Sequence, residues 1–298
     1  MLGPTLFLVF VNDLPSVASS NIQMFADDTK IYRPVPTSDQ QDMLQQDLDS
    51  LSEWSRKWQL PFNEGKCTTL HLGPRNSLRR YKLNGKETKD VPEERDLGIV
   101  VDSGLKFRTQ AAAAAAKASR MLRVVRKVYS SLDKDTLPLL YKSLVRPHLE
   151  YGNPIWGPFN KADQQALEKV QRRATKLVPS VAHLSYTDRL KALEIPSLLY
   201  RRRRGDMIWV YNIMTGKSGL RGELFFSQPT SSATRGHTMK IRKPEALTRE
   251  RRNHLAIRAV NDWNSLPNWV VTSQTTNTFK NNLDRHWAAS RYITPFTE

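Results

Sequence analysis

The spacing of apolar residues changes character near Gly104, and that switch points to an α+β chain with its strands and helices segregated. Between residues 62 and 103 the strand signals are short: Thr68 to Leu72, Tyr81 to Leu83 and Leu97 to Val101. Gly73-Pro74, Asn84-Gly85 and Ser103-Gly104 separate them, and Asn84-Gly85 is a strong hairpin-turn dipeptide. Beyond Gly104 the period becomes helical. Met121, Leu122, Val125, Val128 and Leu132 form one stripe, preceded by Ala111 to Ala116, a run of the best helix former that reads as scaffold. Further helices are expected at about 135–146, kinked or ended by Pro147, and at about 162–177, with Leu167, Val170, Ala174 and Leu177 as the core face. Others fall at about 197–214, near 249–264 and near 275–288, while the Gly/Ser/Thr/Pro-rich stretch 215–236 reads as a linker or long loop. Three regions follow, 1–103, 104–215 and 216–298.

Within the first region, residues 2–14 are apolar and periodicity does not choose between helix and strand. Ile22 to Phe25 and Thr29 to Tyr32 flank Ala26-Asp27-Asp28 as strand, turn and strand. Ser38 and Gln41 form a capping-box pair, and Leu44, Leu48, Leu51, Trp54 and Trp58 make one helix face that Pro61 closes.

Charge divides the chain unevenly. Residues 1–100 carry 12 Lys+Arg and 14 Asp+Glu; residues 101–298 carry 34 and 15, a net of +19. A slightly acidic part joined to a long basic part suits a polyanion ligand, against the alternative of a merely solvated basic exterior. On the expected helices Arg123, Arg126, Lys127, Lys169, Arg172, Arg173 and Lys176 are left to solvent or ligand. Arg201 to Arg204 encircle a helix turn, so some face solvent or phosphate while others snorkel. Trp156, Trp209, Trp263, Trp269 and Trp287 stand near basic residues, leaving base stacking and core packing both open.

The single Cys excludes a disulfide framework and a multi-Cys zinc site, and Cys67 with His71 supplies only two ligands. Scattered His237, His254 and His286 do not replace them. The longest charge-free apolar stretch, Leu2 to Asn12, is far short of the ~20 residues that span a bilayer and does not read as a signal peptide. An intracellular protein, in cytoplasm or nucleus, is expected, with no membrane partner.

Two adjacent carboxylates are costly without a counter-charge, about 4 kcal/mol at ~4 Å in an effective dielectric of ~20. A divalent cation turns that repulsion into a binding site, and phosphoryl transfer uses such ions on the attacking and leaving oxygens. Asp27-Asp28 is therefore either a nucleotidyl-transfer metal site or ordinary turn composition.

The flanking residues bear on that choice. Phe25-Ala26-Asp27-Asp28 followed by Thr29-Lys30-Ile31-Tyr32 resembles the catalytic hairpin of the reverse transcriptases of non-LTR (LINE-type) retrotransposons, in particular the jockey and chicken-repeat-like clades. Leu2-Gly3-Pro4, Leu6-Phe7 and Asn12-Asp13-Leu14-Pro15 match the segment just before it in that family. Leu60-Pro61-Phe62-Asn63 with Lys66-Cys67 resembles a later palm motif, and Asp96-Leu97-Gly98-Ile99 the strand pair leading to the thumb. Leu140 to Pro147, Leu149 to Gly152 and Trp156 look like the thumb signature, continued by Gln171 to Thr175 and Trp263 to Pro267.

The resemblance implies a partial reverse-transcriptase palm over 1–103 with short antiparallel strands plus helices, a helical thumb over 104–215 and a linker with a basic helical tail over 216–298. It implies RNA-directed DNA polymerisation, with RNA template, DNA primer and dNTPs as partners and Mg²⁺ as cofactor in the complete parent enzyme. Asp27 and Asp28 would hold the metal, and Phe25 would pack near the primer end or incoming nucleotide. Lys66 would sit near the triphosphate as a proton donor, or else is a lysine on an exposed loop.

Family members carry fingers and another metal-binding Asp upstream of the Leu-Gly-Pro box, and here Met1 falls inside that box. Asp13 belongs to the matched helix end and does not replace that Asp. The expectation is an N-terminally truncated element, or a reading frame begun at an internal Met. Either the chain is part of a polymerase whose missing half comes from a longer product, or it is a non-enzymatic remnant that binds nucleic acid.

Overall fold

The apolar segment that periodicity left undecided is a helix, α1 (Leu2–Val11), in the computed structural model of the chain, which describes residues 2–229 and 236–294. Two compact units form, Met1–Leu105 and Lys106–Glu298.

In the first unit a 3-10 turn, Leu14–Val17, leads into an antiparallel hairpin, β1 (Asn21–Phe25) and β2 (Asp28–Tyr32). Helix α2 (Ser38–Lys57) follows; its N-cap is Thr37, whose hydroxyl accepts from the Gln40 N–H at 3.4 Å. Ser38 therefore starts the helix rather than capping it. Val11, Leu14, Leu51 and Trp54 make the core, with Ile22, Met24 and Ile31 of the hairpin packed against it. Strand alternation thus sends one hairpin face inward and leaves Gln23 and Phe25 outside. The side chain of Asp13 is committed to this core, accepting from the Trp54 indole at 3.1 Å. Helix α1 is apolar all round, and Leu2, Leu6, Leu8 and Val9 remain exposed.

Asp47 of α2 ties the hairpin down. Its carboxylate accepts from the backbone N–H of Ser19 and of Ser20, both at 2.8 Å, and from both serine hydroxyls. Burial works to raise this carboxyl, and the serine hydrogen bonds outweigh it, leaving it below the ordinary carboxylate value. A depressed carboxyl contributes stability above its unfolded pKa and loses it as pH falls through the folded one. Asp47→Ala is expected to destabilise this unit by about 2–3 kcal/mol at neutral pH, since four donors lose their acceptor. Urea unfolding followed from about pH 7 down to about pH 2 should show the difference shrinking in acid.

Short ladders complete the unit. Strand β3 (Thr68–Thr69) runs parallel to β6 (Lys89–Asp90), against the expectation of antiparallel strands, because the chain between them is long enough to return in the same direction. Strands β4 (Lys82–Leu83) with β5 (Lys86–Glu87) and β7 (Glu93–Asp96) with β8 (Ile99–Asp102) are antiparallel. Leu83 pairs with Lys86, so Asn84-Gly85 is a two-residue turn with both φ positive, at 52° and 77°. Asp96 pairs with Ile99, which puts Leu97 in a similar turn at φ 46° rather than in the strand expected over Leu97 to Val101. The extended stretches 68–72 and 81–83 likewise keep only two paired residues each.

The second unit is helical. Ala111, Ala114 and Ala118 of α3 (Arg108–Val128) are buried on the side packed along α7 (Lys161–Thr175), where small side chains allow close approach. Val128, expected in the apolar stripe, is exposed instead. Pro147 neither ends nor visibly breaks its helix. Helix α4 (Thr136–Leu140) passes through a π turn, Tyr141–Val145, into α5 (Arg146–Glu150), and the Arg146 N–H bonds the Tyr141 carbonyl five residues back. The wide turn makes room where a proline ring would otherwise meet the carbonyl four residues back.

A short helix α6 (Asn153–Trp156) precedes α7, and α8 (Tyr186–Ala192), capped by the Ser185 hydroxyl, comes before α9 (Leu198–Met214). The single helix expected near 249–264 is three pieces, α10 (Arg249–Asn253), α11 (Leu255–Arg258) and α12 (Val260–Asn264). His254 interrupts it in an extended conformation, and its ring accepts from the Ala256 N–H at 3.3 Å as a cap. Helices α13 (Asn268–Val271) and α14 (Thr276–His286) pack with α9 and α12 around Met207, Tyr211, Trp263, Phe279 and Leu283. Tyr211 and Phe279 stack with centroids 4.3 Å apart. The stretch expected as a linker is partly packed, since Phe226 is buried and Ser227 bridges to Arg242; residues 230–235 lie outside the described residues.

Candidate carboxylate hairpin and nucleic-acid interface

Phe25 pairs with Asp28, so Ala26 and Asp27 alone form the turn, and Asp28 is the first residue of β2. Ala26 takes a left-handed φ of 53°, a conformation that costs a residue with a Cβ about 1 kcal/mol. Both carboxylates are exposed, as is the ring of Phe25 at 66%. Lys30, on the same hairpin, forms an ion pair with Asp96. Among the described residues no three His, Cys, Asp or Glu side chains gather as a metal site. Lys66 ends a one-turn 3-10 helix, Glu64–Lys66, with its N–H on the Asn63 carbonyl at 3.0 Å and its side chain exposed. Cys67 and His71 are separately engaged: the thiol with the Asn63 carbonyl at 3.3 Å, the ring with Asp90 at 3.3 Å.

On the helical unit, Lys169, Arg173 and Lys176 are exposed at steps of four and three, one side of α7 and the residue that caps it. Arg173 reaches across to α3, donating to the Ser119 hydroxyl at 3.1 Å. Arg123 lies four residues after Ser119 and Arg126 seven, so the exposed cations of α3 continue the strip that Arg173 begins. Lys127 is exposed beside them. Lys117 and Arg120, absent from the sequence expectation, are exposed on the same helix; burial first, and then their charges, hold His148 below its ordinary pKa.

Arg172 departs from the expectation. It is half-buried with its guanidinium 4.7 Å from the Tyr186 ring centroid, a cation–π contact rather than an open phosphate ligand. The four arginines of α9 depart further. Arg201 takes Glu150 bidentately at 2.5 and 2.8 Å, Arg203 takes Asp262 at 2.7 and 2.6 Å, and Arg204 takes Asp284 at 2.5 and 2.8 Å. Burial lowers the pKa of Arg202, opposed by the carboxylates of Glu168, Glu150 and Asp206. This run is internal glue, not a phosphate clamp.

The inner face of α7 is more polar than its apolar spacing suggested. Gln171 is fully buried; its amide oxygen accepts from the Tyr141 hydroxyl at 2.6 Å, and its nitrogen donates to the Tyr186 hydroxyl at 3.1 Å. Tyr186 donates to Glu168 at 2.5 Å, and both burial and that carboxylate push its hydroxyl pKa well up. Thr175 accepts from Arg189 at 3.0 Å. The signal was present as Glu168, Gln171 and Thr175 at steps of three and four alongside the apolar stripe. Trp156 and Trp263 are fully buried, which assigns them to the core, while Trp209 and Trp269 are exposed.

No protein-family profile matches the chain, and no solved structure does. Curated relatives do match. The RNA-directed DNA polymerase from mobile element jockey of Drosophila funebris is 25% identical over 211 residues, covering 65% of this chain and 22% of the polymerase. The probable RNA-directed DNA polymerases from transposons X-element and BS of Drosophila melanogaster are each 26% identical, over 196 and 195 residues, covering 60% of this chain and 21% of theirs. The chain thus spans about a fifth of the length of the curated relatives it matches. Motif series and comparisons meet on one family: this chain is similar, over most of its own length, to the RNA-directed DNA polymerases of non-LTR retrotransposons of the jockey, X-element and BS kinds.

Proposed function

We propose that the chain is the part of a retrotransposon RNA-directed DNA polymerase that carries the carboxylate hairpin and grips the RNA–DNA duplex, with a palm in the first unit and a thumb in the second. The observation that carries this reading is the strip of exposed cations running from Arg123 and Arg126 through Arg173 to Lys169 and Lys176. A rigid pair of packed helices holds it. Such a surface suits a duplex held through its phosphates, without regard to base sequence.

A divalent ion such as Mg²⁺, when bound, supplies charge stabilisation to the attacking and leaving oxygens of nucleotidyl transfer. Asp27 and Asp28 would hold it: both are exposed, adjacent and pinned by the hairpin. Two carboxylates fit one part of such a site, and among the described residues no third acidic, His or Cys ligand joins them. Phe25 offers an exposed ring two residues away for packing against a nucleotide. Lys66, on its exposed turn, is carried over as proton donor to the leaving pyrophosphate by its motif alone.

The incomplete ligand set favours a second reading for the chain by itself, binding without polymerisation. With a primed RNA template, dNTPs and Mg²⁺, the purified chain is expected to bind the hybrid and to give no extended primer. Incorporation that disappears in Asp27→Ala would show that a further carboxylate completes the site. Failure to bind the hybrid at low salt would reject the duplex-holding role.

A further inference from the structure

Trp269 is left outside by design of its own helix. In α13 the next two residues, Val270 and Val271, are buried, at 0% and 1% exposure, and fill the core position, while Trp269 stays 47% exposed. Its backbone is held, since the Asn282 side chain donates to the Trp269 carbonyl at 3.2 Å. Two side chains of α14 converge on the indole: the Arg285 guanidinium lies 6.0 Å from the ring centroid, and the His286 ring stands edge-on at 6.1 Å and 88°. Trp287 next to them is half-buried against the core with Arg203 over it at 5.0 Å, so it is not the open ring.

The charge along this stretch of chain is one-sided. Residues 265–294 hold Lys280, Arg285 and Arg291 against one acid, Asp284. That acid is already taken, by Arg204 at 2.5 and 2.8 Å and by the Tyr200 hydroxyl at 2.6 Å. A flat aromatic face with the Arg285 guanidinium over it, paired with no carboxylate among the described residues, matches the chemistry of an unpaired nucleotide, base on ring and phosphate on guanidinium.

We propose that Trp269 is a stacking platform for one base of a single-stranded polynucleotide, with Arg285 on the adjoining phosphate. The site lies on α13 and α14, apart from the α3 and α7 strip assigned to duplex. It extends the nucleic-acid reading and rests on it, so the experiment carries a separate duplex arm.

The full chain is titrated at fixed salt with a fluorescent oligothymidine of about 12 nucleotides, with an abasic strand of equal length and charge, and with an RNA–DNA hybrid. Stacking on an aromatic ring needs the base itself and is indifferent to which base it is, since every base has a π face. Trp269→Ala is therefore expected to weaken oligothymidine binding roughly tenfold, leaving the abasic strand and the hybrid unchanged. Trp269→Phe should recover most of that loss, which a merely unfolded variant would not show. Arg285→Ala should lower the salt slope on both single strands by about 0.7, the value for one phosphate on a single strand. Wild-type oligothymidine affinity in Trp269→Ala, or an equal loss on the abasic strand, would overturn the proposal. Hybrid binding that fails in the unaltered chain would instead sink the duplex reading.

Discussion

Arg258→Ala is expected to destabilise the helical unit by about 3–5 kcal/mol, the loss typical of a buried ion pair broken on one side. The guanidinium donates to both oxygens of Asp206 at 2.8 Å and to the carbonyls of Asn253, Pro154 and Asn153, at 2.7, 3.1 and 3.3 Å. One side chain thus joins α6, α9 and α11. Burial raises the Asp206 carboxyl, and Arg258 is the chief force restraining it. Removing Arg258 leaves that carboxyl raised further. A raised carboxyl binds more protons folded than unfolded, so its penalty grows as pH climbs from the unfolded pKa through the folded one. The deficit of Arg258→Ala should accordingly be larger at about pH 7.5 than at about pH 5. In thermal unfolding it should appear as a fall of roughly 10 °C in the midpoint of the helical unit. Asp206→Asn combined with Arg258→Ala should lose less than the two single changes summed. Additive losses would mean that the pair is not coupled.

Charge reversal is not needed to test the duplex strip. Lys169→Ala, Arg173→Ala and Lys176→Ala together should cut affinity for an RNA–DNA hybrid on the order of a hundredfold near 0.1 M salt. The slope of log affinity against log salt should flatten by up to roughly 2.7, about 0.9 for each phosphate no longer neutralised. Ala is a better helix former than Lys or Arg, and all three positions are exposed, so the fold should be unaffected. Arg172→Ala is the internal control. Its guanidinium lies on Tyr186, and the salt slope should stay within error of the parent while thermal stability falls. A triple variant with the parental slope would mean the strip is only a solvated exterior.

The carboxylate hairpin and the Asn84-Gly85 turn were legible because backbone sterics and strand alternation act within a few residues. The helix carrying Lys169 and Arg173 was legible through its period for the same reason. Leu97 was misplaced by one structural role: its apolar side chain reads as strand, yet the two-residue turn needs a positive φ there and took the leucine. His254 read as a helix interior residue, and the break became visible only through the cap it makes. Pro147 read as a kink or an end because the π turn that accommodates it depends on the Tyr141 carbonyl taking the N–H of Arg146, five residues on.

By itself the sequence determined where the acidic pair stands, which helices are basic outside and apolar inside, and which polymerases the chain resembles. All of these are properties of short windows or of their order. Which cations remain available was decided by tertiary structure alone. Arg201, Arg203 and Arg204 meet carboxylates 51, 59 and 80 residues away, and Arg258 meets Asp206 at 52. A local reading counts each as free charge, whereas folding converts them to bidentate pairs. The strip on α3 and α7 stays open for the complementary reason. Its cations project from the outer side of two helices whose buried sides include alanine, leucine, valine and a satisfied Gln171, and among the described residues none of Arg123, Arg126, Lys169, Arg173 and Lys176 forms an ion pair with a carboxylate.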